Sequence, residues 1–169
     1  MNQMKIKLKA KRLSDTAKLP TYGSEKAACC DLYCDLRVDI CCELNPDFGY
    51  KGMDVNSDHF SCVCVGAHET VKIPTGWSFQ PPEGDMLQLL QRSGLASKGL
   101  ICVGGIIDED YTGEIVAIML NTTERPIYIN NGDRVAQMAL RKYEQAEFEL
   151  VDGLDETERG DGAFGSTGK

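Results

Sequence analysis

The chain has 169 residues, of which 42% are hydrophobic and 26% are charged, and its formal net charge at pH 7 is -8. This length and apolar content predict one globular domain with a substantial core. No apolar run approaches a membrane span, and residues 1–9 lack the apolar centre of a signal peptide, so we expect a cytoplasmic protein. The negative charge argues against binding to nucleic acid. It is compatible with a nucleotide ligand held by a few arginines and a divalent cation.

Alternating and apolar stretches predict short strands along the whole chain. The predicted strands are residues 5–9, 36–40, 62–65, 71–73, 77–79, 86–90, 100–103, 114–120, 127–129, 134–140 and 148–151. Residues 94–98 form the single predicted helical turn, and turn formers are dense in 14–26 and 43–61. This pattern predicts an all-β barrel or sandwich with little helix. We expect a domain over residues 1–152, with a turn-rich insertion at about 43–61, and a mobile C-terminal flap over 153–169.

The sequence contains eight cysteines. No secretory signal accompanies them, so disulfides are not expected. Cys62 and Cys64 lie near His59 and His68 and could contribute to a zinc site, but the cysteines do not repeat as paired Cys-x2-Cys units. Because free cysteine behaves as a small buried hydrophobe, we favour reduced, packed thiols over zinc ligands.

The stretch 92–96 follows an apolar strand and precedes the helical turn. Arg92, Ser93 and the backbone N–H groups of a helix start are suited to bind an anion. The alternative is a turn with a surface arginine, and the stretch alone does not decide between them.

The stretch 104–114 begins with two glycines, which let a backbone approach a ligand closely. Asp108, Glu109 and Asp110 follow. On an extended chain, the first and third carboxylates point to one face and Glu109 to the other. A carboxylate beside a pocket can act as the general base for a water molecule. An acidic turn in a hairpin is the alternative.

Two further stretches place a polar side chain among apolar ones. Gln137 lies in an apolar strand after the turn at 131–133, and a buried glutamine needs partners in the fold or in a ligand. Asp31 lies in the mostly apolar stretch 28–32 and needs a structural partner or a link to a metal.

The last stretch, 159–168, contains four glycines, Arg159, Phe164 and the hydroxyls of Ser166 and Thr167. A frayed polar end is one interpretation. A flap over a phosphate-bearing ligand is the other, because glycine N–H groups, hydroxyls and a guanidinium suit phosphate oxygens and the ring suits a flat base. Ala163 stands where a P-loop requires glycine, so the stretch is not a P-loop.

Together and in this order, residues 28–32, 92–96, 105–114, 132–138 and 159–168 resemble the five motifs of the trimeric deoxyuridine triphosphatases (dUTPases). The third motif, Ile-Asp-Glu-Asp-Tyr-Thr-Gly-Glu, and the fifth, Phe-Gly-Ser-Thr-Gly, are the specific ones. The resemblance implies a β-clip, jelly-roll-like subunit and a homotrimer with shared active sites. It also implies hydrolysis of dUTP to dUMP and pyrophosphate, with Mg²⁺ on the triphosphate.

The resemblance further implies roles for single residues. Asp108 would activate the water that attacks the α-phosphorus, and Tyr111 would pack under the deoxyribose and exclude UTP. Asp31 would lie near the water shell of Mg²⁺ or support the subunit contact. The uracil and sugar pocket would be lined by Gly105, Ile106 and Ile107.

The remaining implied roles concern the triphosphate and the flap. Phe164 would stack on uracil, and Arg159 would reach the γ-phosphate. Other phosphate contacts would come from Arg92, Ser93 and Gly94 of a neighbouring subunit, from Gln137, and from Gly165, Ser166 and Thr167 of the tail.

The interval between Asp31 and Arg92 looks longer than is usual in the family, by about the length of the excursion at 43–61. The excursion could be a surface loop, a metal-stapled lobe or a protein-binding surface. Two alternative functions follow: a regulatory protein on the same scaffold that binds a partner through 43–61, or the related dCTP deaminase. The deaminase needs a differently placed glutamate, whereas Asp108 and Tyr111 follow the dUTPase pattern.

Overall fold

The structure is a computed structural model that describes residues 6–37, 39, 51–53, 60–158 and 160–162, with residues 51–53 described by their backbone only. Its strands are β1 (Lys9–Arg12), β2 (Thr21–Tyr22), β3 (Cys30–Tyr33), β4 (Lys51–Met53), β5 (Phe60–Val65), β6 (Thr70–Pro74), β7 (Trp77–Gln80), β8 (Asp85–Gln91), β9 (Leu100–Cys102), β10 (Ile106–Ile107), β11 (Val116–Asn121), β12 (Ile127–Asn130) and β13 (Arg134–Lys142). One helical turn, α1 (Ser93–Ala96), follows β8. The predicted all-β architecture with little helix is confirmed.

These strands form small antiparallel sheets. The largest has the order β10-β8-β13-β3-β2, and the others are β6-β11-β9, β12-β5-β4 and β1-β7. The neighbours β8 and β13 are distant in sequence, as are β13 and β3, so the largest sheet joins parts of the chain that no local pattern connects.

The core lies where the alternating faces of these sheets meet. On β6, Val71 and Ile73 are fully buried, and on the neighbouring β11, Ala117 and Met119 are fully buried. The alternation follows from the two-residue period of a strand. Full burial of one such apolar side chain contributes about 1.5–3 kcal/mol.

The turn between β6 and β7 requires a glycine. Gly76 has φ 71°, and a Cβ there would lie 2.4 Å from the Cβ of Ala17. Any other residue would combine an unfavourable backbone conformation with a steric clash. The turn therefore fixes where β7 begins.

The first predicted strand is displaced, and the strand predicted at 36–40 is described only in part. The first strand is Lys9–Arg12 instead of 5–9, because pairing with β7 selects its register, with Arg12 opposite Trp77. At 36–40, the N–H of Leu36 donates to the side chain of Asn131, and its carbonyl accepts a hydrogen bond from the N–H of Phe60 in β5. The strand predicted there stays a prediction. Val38 and Ile40 lie outside the described residues.

The predicted strand at 148–151 does not form within the single chain. Phe148 is 90% exposed and Leu150 is 99% exposed. A strand needs a partner for its backbone groups, and none of the described strands pairs with this segment.

The predicted insertion at 43–61 is described only in part. Lys51–Met53 forms β4 and pairs with β5, and Phe60 already belongs to β5. The other residues of this range lie outside the described part, so the insertion and the division at 152 stay predictions. In the described ranges, no helix has the length and apolar character needed to cross a membrane.

Candidate active site

The five-stranded sheet brings four of the predicted motifs side by side. In its order β10-β8-β13-β3, Ile106 pairs with Gln88, and Gln137 pairs with Leu90 on one side and with Asp31 on the other. Arg92 directly follows β8. Residues that are far apart in sequence therefore lie along one end of one sheet.

Asp31 is the centre of an ion-pair cluster. Its Oδ1 accepts a hydrogen bond from Arg92 Nε at 2.8 Å, and its Oδ2 accepts one from Arg134 Nη1 at 3.0 Å. Arg92 Nη1 also donates to the carbonyl of Arg134. The Asp31 side chain is 13% exposed, against 23% for Arg92 and 50% for Arg134. Since a paired and partly buried carboxylate restrains its partners, Asp31 orients both guanidinium groups.

Ser93 and Gly94 form the first half of α1 and are exposed. Arg92 is its N-cap residue and makes no capping hydrogen bond with its side chain, while its carbonyl accepts from the N–H groups of Leu95 and Ala96. The short helix therefore begins where Arg92 is held by Asp31.

Gly105 lies against the backbone of β8. The N–H of Leu89 donates to the Gly105 carbonyl at 2.7 Å, and a Cβ on Gly105 would lie only 2.6 Å from the Leu89 carbonyl oxygen. A glycine is therefore needed for this approach. Ile106 is 55% exposed and Ile107 is half-buried, so β10 presents apolar surface next to this glycine.

The three carboxylates after β10 differ in exposure and in hydrogen bonding. Asp108 and Asp110 are exposed, whereas Glu109 accepts a hydrogen bond from the N–H of Gly84 at 2.7 Å. Glu109 also accepts a hydrogen bond from the Tyr143 hydroxyl, and this bond raises the pKa of that hydroxyl. Glu109 thus differs from Asp108 and Asp110, as alternation predicted, although the three residues lie in a turn after β10 and not on an extended strand. Glu109 anchors the turn and leaves Asp108 exposed to solvent.

Tyr111 is held by the residues that follow it. Its hydroxyl donates to the Glu114 carbonyl at 3.0 Å, and a Cβ on Gly113 would lie 2.4 Å from that hydroxyl. The ring therefore covers Gly113, and 45% of the residue remains exposed. An exposed aromatic ring held next to Asp108 offers a flat apolar contact to a ligand.

Gln137 donates from Nε2 to the Gln91 carbonyl at 2.9 Å. This bond joins the predicted fourth motif to the residue that precedes Arg92. The partner that the sequence required for Gln137 is therefore a backbone group of the neighbouring strand.

The predicted tail residues Arg159, Phe164, Gly165, Ser166 and Thr167 lie outside the described residues. Their roles stay predictions. The described ranges contain no group of three or more His, Cys, Asp or Glu side chains that could hold a metal ion.

Five cysteines in the described part of the chain, Cys29, Cys30, Cys34, Cys64 and Cys102, are free thiols. Burial raises the pKa of Cys30 and Cys102, and it raises the pKa of Cys34 to about 12. These three thiols therefore pack as neutral hydrophobes. His59, Cys41 and Cys42 lie outside the described residues.

Sequence reasoning missed several contacts of this site. It assigned no role to Arg134, although this arginine shares Asp31 with Arg92, and it did not find the contact between Arg37 and Glu114. Arg134 lies in the stretch 132–138, which resembles the fourth motif, so its position in the sequence could have indicated a role in the site. Arg37 and Glu114 are 77 residues apart, and no local pattern links them.

Solved structures with the same architecture are nucleotide-binding enzymes. The dUTPase of Staphylococcus bacteriophage 80alpha bound to dUPNHPP aligns over 96% of this chain and 99% of its own, with TM-score 0.75 and 22% identity. A mutant of the phage phi11 dUTPase that coordinates a structural Mg(II) ion aligns over 89% of this chain and 100% of its own, with TM-score 0.68 and 20% identity. The fold is therefore the β-clip of the dUTPases.

Sequence comparison identifies the family. The deoxyuridine 5'-triphosphate nucleotidohydrolase of Orientia tsutsugamushi (strain Boryong) is 44% identical over 123 residues, which is 71% of this chain and 83% of that protein. The enzyme of the same name from Bdellovibrio bacteriovorus is 43% identical over 124 residues, 72% of this chain and 83% of that protein. The dUTPase family model matches residues 50–168. The chain belongs to the dUTPase family.

Proposed function

We propose that this chain hydrolyses dUTP to dUMP and pyrophosphate, and so lowers dUTP and supplies dUMP. The observation that carries the proposal is the geometry of the 105–108 segment, in which Gly105 lies against the backbone of β8 and Asp108 is exposed directly after β10. Membership of the family and the names of the relatives support the same reaction. They favour hydrolysis over deamination of dCTP and over a purely regulatory role.

In the proposed reaction, Asp108 is the general base. Its exposed carboxylate would take a proton from the water that attacks the α-phosphorus, and the anchoring of Glu109 to Gly84 supports this orientation. A positioned general base contributes roughly 10²–10⁴-fold to a rate. Phosphoryl-type transfer otherwise depends on positioning and on neutralisation of charge.

The substrate would be held between the sheet and the flap. The uracil and sugar would lie along Gly105, Ile106 and Ile107, with Tyr111 under the deoxyribose, where a 2′-hydroxyl would clash. The phosphates would be bound by Arg92, Ser93 and Gly94 of a neighbouring subunit, with Gln137 supporting this side. The flap would close with Phe164 on uracil, Arg159 on the γ-phosphate and Gly165, Ser166 and Thr167 on phosphate oxygens.

Mg²⁺ is the proposed cofactor, and it would neutralise charge on the triphosphate. Mg²⁺ usually keeps several waters and is held by substrate phosphates and by few protein groups. Both oxygens of Asp31 accept bonds from arginines. Asp31 would therefore act on the ion only through water, while it orients Arg92.

We also propose that the chain assembles as a homotrimer in the cytoplasm. Phe148, Leu150 and Leu154 are each at least 90% exposed in the single chain. Such an apolar segment is costly in water and is expected to be covered by a neighbouring copy. The free thiols of Cys29, Cys30, Cys34, Cys64 and Cys102 suit a reducing compartment. A protein partner at 43–61 stays a prediction.

The decisive test is pyrophosphate release from dUTP by the Asp108→Asn variant. The amide cannot accept the proton, so we expect kcat to fall roughly 10²–10⁴-fold while the fold is retained. The same assay with dTTP, dCTP and UTP defines the base and sugar preference of the wild type.

The matched control is Asp15→Asn, which makes the same change at an exposed turn outside the five motifs. It should retain wild-type turnover. Full activity of Asp108→Asn, or release of ammonia from dCTP by the wild type, would refute the proposed reaction.

A further inference from the structure

Arg37 lies between two carboxylates at the base of the loop 108–114. Its Nε is 2.9 Å from Asp35 Oδ2, and its Nη2 donates to Glu114 Oε2 at 2.6 Å. The side chains of Arg37, Asp35 and Glu114 are only 12%, 3% and 14% exposed. Ion pairs this poorly exposed to water are costly to break, so the three groups hold one another in a defined geometry.

The two carboxylates are themselves fixed to the body of the protein. Thr16 Oγ1 donates to Asp35 Oδ1 at 2.8 Å, and the N–H of Gly76 donates to Glu114 Oε1 at 2.7 Å. Burial by itself lowers the pKa of Arg37, but the hydrogen bond and charge of Glu114, with the charges of Asp35 and Asp39, outweigh burial and raise it. Arg37 therefore remains charged.

Glu114 connects this cluster to the proposed sugar site. Its side chain contacts Arg37, and its carbonyl accepts the hydrogen bond of the Tyr111 hydroxyl at 3.0 Å. The ring of Tyr111 lies over Gly113, the residue directly before Glu114. Any shift of Glu114 therefore moves the acceptor that holds the Tyr111 ring.

We propose that Arg37 is a positioning residue: by holding Glu114 it sets the place of the Tyr111 ring, and through it the preference for dUTP over UTP. This inference rests on the proposed function, in which Tyr111 leaves no room for a 2′-hydroxyl. Arg37 does not itself contact the substrate in this proposal.

The rest of the loop has anchors that do not depend on Arg37. Ser78 Oγ donates to the Thr112 carbonyl at 2.7 Å, and the N–H of Ile115 donates to the Trp77 carbonyl at 2.8 Å. Weakening the Arg37 contact should therefore shift Glu114 and Tyr111 without detaching the loop. The expected result is a change in substrate preference in a folded enzyme.

The test compares kcat/KM for dUTP and for UTP in Arg37→Lys and Glu114→Gln. Lysine keeps the charge but cannot span both carboxylates as the planar guanidinium does. Glutamine keeps an acceptor for Gly76 but weakens the bond to Arg37. Because small displacements of positioning groups reduce rates strongly, we expect the dUTP/UTP ratio of kcat/KM to fall about tenfold in each variant.

Arg141→Lys is the matched control, since Arg141 is an exposed arginine near the end of β13. Its ratio should equal that of the wild type. Tyr111→Phe removes only the hydroxyl that bonds Glu114, and its dUTP/UTP ratio of kcat/KM should fall as well. This variant is the test if Arg37→Lys and Glu114→Gln do not fold.

The inference is overturned if a folded Arg37→Lys or Glu114→Gln variant keeps the wild-type dUTP/UTP ratio, even if its overall rate falls. If neither variant folds, an unchanged ratio in Tyr111→Phe overturns it. Failure of the proposed function has a different signature. In that case Tyr111→Ala would keep the wild-type ratio, or Asp108→Asn would keep full turnover.

Discussion

Single residues in this chain are restrained mainly by charge and burial. Asp31 joins Arg92 and Arg134, which belong to different motifs, through two hydrogen bonds of 2.8 and 3.0 Å. The sequence could predict that an aspartate in an apolar segment needs a partner, because the cost of an unpaired buried carboxylate is general. It could not predict which partner, because the choice depends on the pairing of β3 with β13.

The same limit applies to Arg37. Its residue type carries no local signal, and its partner Glu114 was predicted only as the end of a motif. The ion pair arises because Leu36 and Arg37 pass the turn at Gly76, where the N–H of Asp35 donates to the Pro74 carbonyl. Contacts of this kind require the three-dimensional path of the chain.

Cys34 supplies a prediction at the residue scale. Burial raises its pKa from 9.0 to about 12. Below pH 9 the thiol is neutral in both states, and its burial stabilises the fold fully. Above pH 9 the unfolded state loses the proton while the folded state keeps it, so the free energy of unfolding should fall by up to about 1.4 kcal/mol per pH unit until the folded thiol ionises.

The measurement is chemical denaturation of the wild type and of Cys34→Ala between about pH 8 and pH 11. Other groups titrate in this range, so the difference between the two slopes is the quantity that reports on Cys34. The alanine variant should show the shallower decline. Parallel slopes would mean that the Cys34 thiol is not buried as the structure has it.

At the scale of elements, the sequence predicted which stretches form strands better than it predicted the residues at which those strands begin and end. The central predicted strands 86–90 and 134–140 correspond to β8 (Asp85–Gln91) and β13 (Arg134–Lys142), because sustained apolar stretches between turn formers leave few alternatives. The first strand was displaced by several residues, since alternation continues on both sides of Lys9 and only pairing with β7 selects the register.

Gly105→Ala tests how closely β10 must approach β8. The added Cβ would lie 2.6 Å from the Leu89 carbonyl oxygen, which is backbone and cannot move aside cheaply. We expect a loss of about 1–3 kcal/mol in stability. A rise in KM for dUTP should accompany it, because the proposed uracil pocket would open.

Thermal denaturation and steady-state kinetics measure both effects. Gly23→Ala is the matched control, since no atom lies within 4 Å of a Cβ at this exposed glycine. A Gly105→Ala enzyme with wild-type Tm and KM would contradict the close approach.

At the scale of the whole molecule, the order β10-β8-β13-β3-β2 explains why motifs that are far apart in sequence lie in or beside one sheet. Adjacent positions in this sheet come from opposite ends of the sequence, so periodicity alone could not reveal it. The order of the five motifs could be recognised by resemblance, which therefore predicted the family and the fold, whereas the roles of the single site residues stay predictions. The strand predicted at 148–151 shows the same limit, because alternation predicts an extended segment but does not say whether a described strand pairs with it, and none does.

The tail carries the last prediction. Removal of residues 159–169 deletes the proposed flap, while the described strands all end at or before Lys142. We therefore expect the core and the proposed trimer to survive. Turnover of dUTP should fall about 10²-fold, because closure positions the substrate and excludes water.

Size-exclusion chromatography with light scattering and pyrophosphate release measure the two outcomes separately. A variant that lacks only Lys169, the residue beyond the fifth motif, is the control and should match the wild type. Loss of the trimer on truncation would make the tail a structural arm that stabilises the assembly. An unchanged rate would show that Arg159, Phe164 and the hydroxyls of Ser166 and Thr167 do not contact the substrate. A trimer with impaired turnover would separate the tail's role in catalysis from the stability of the β core.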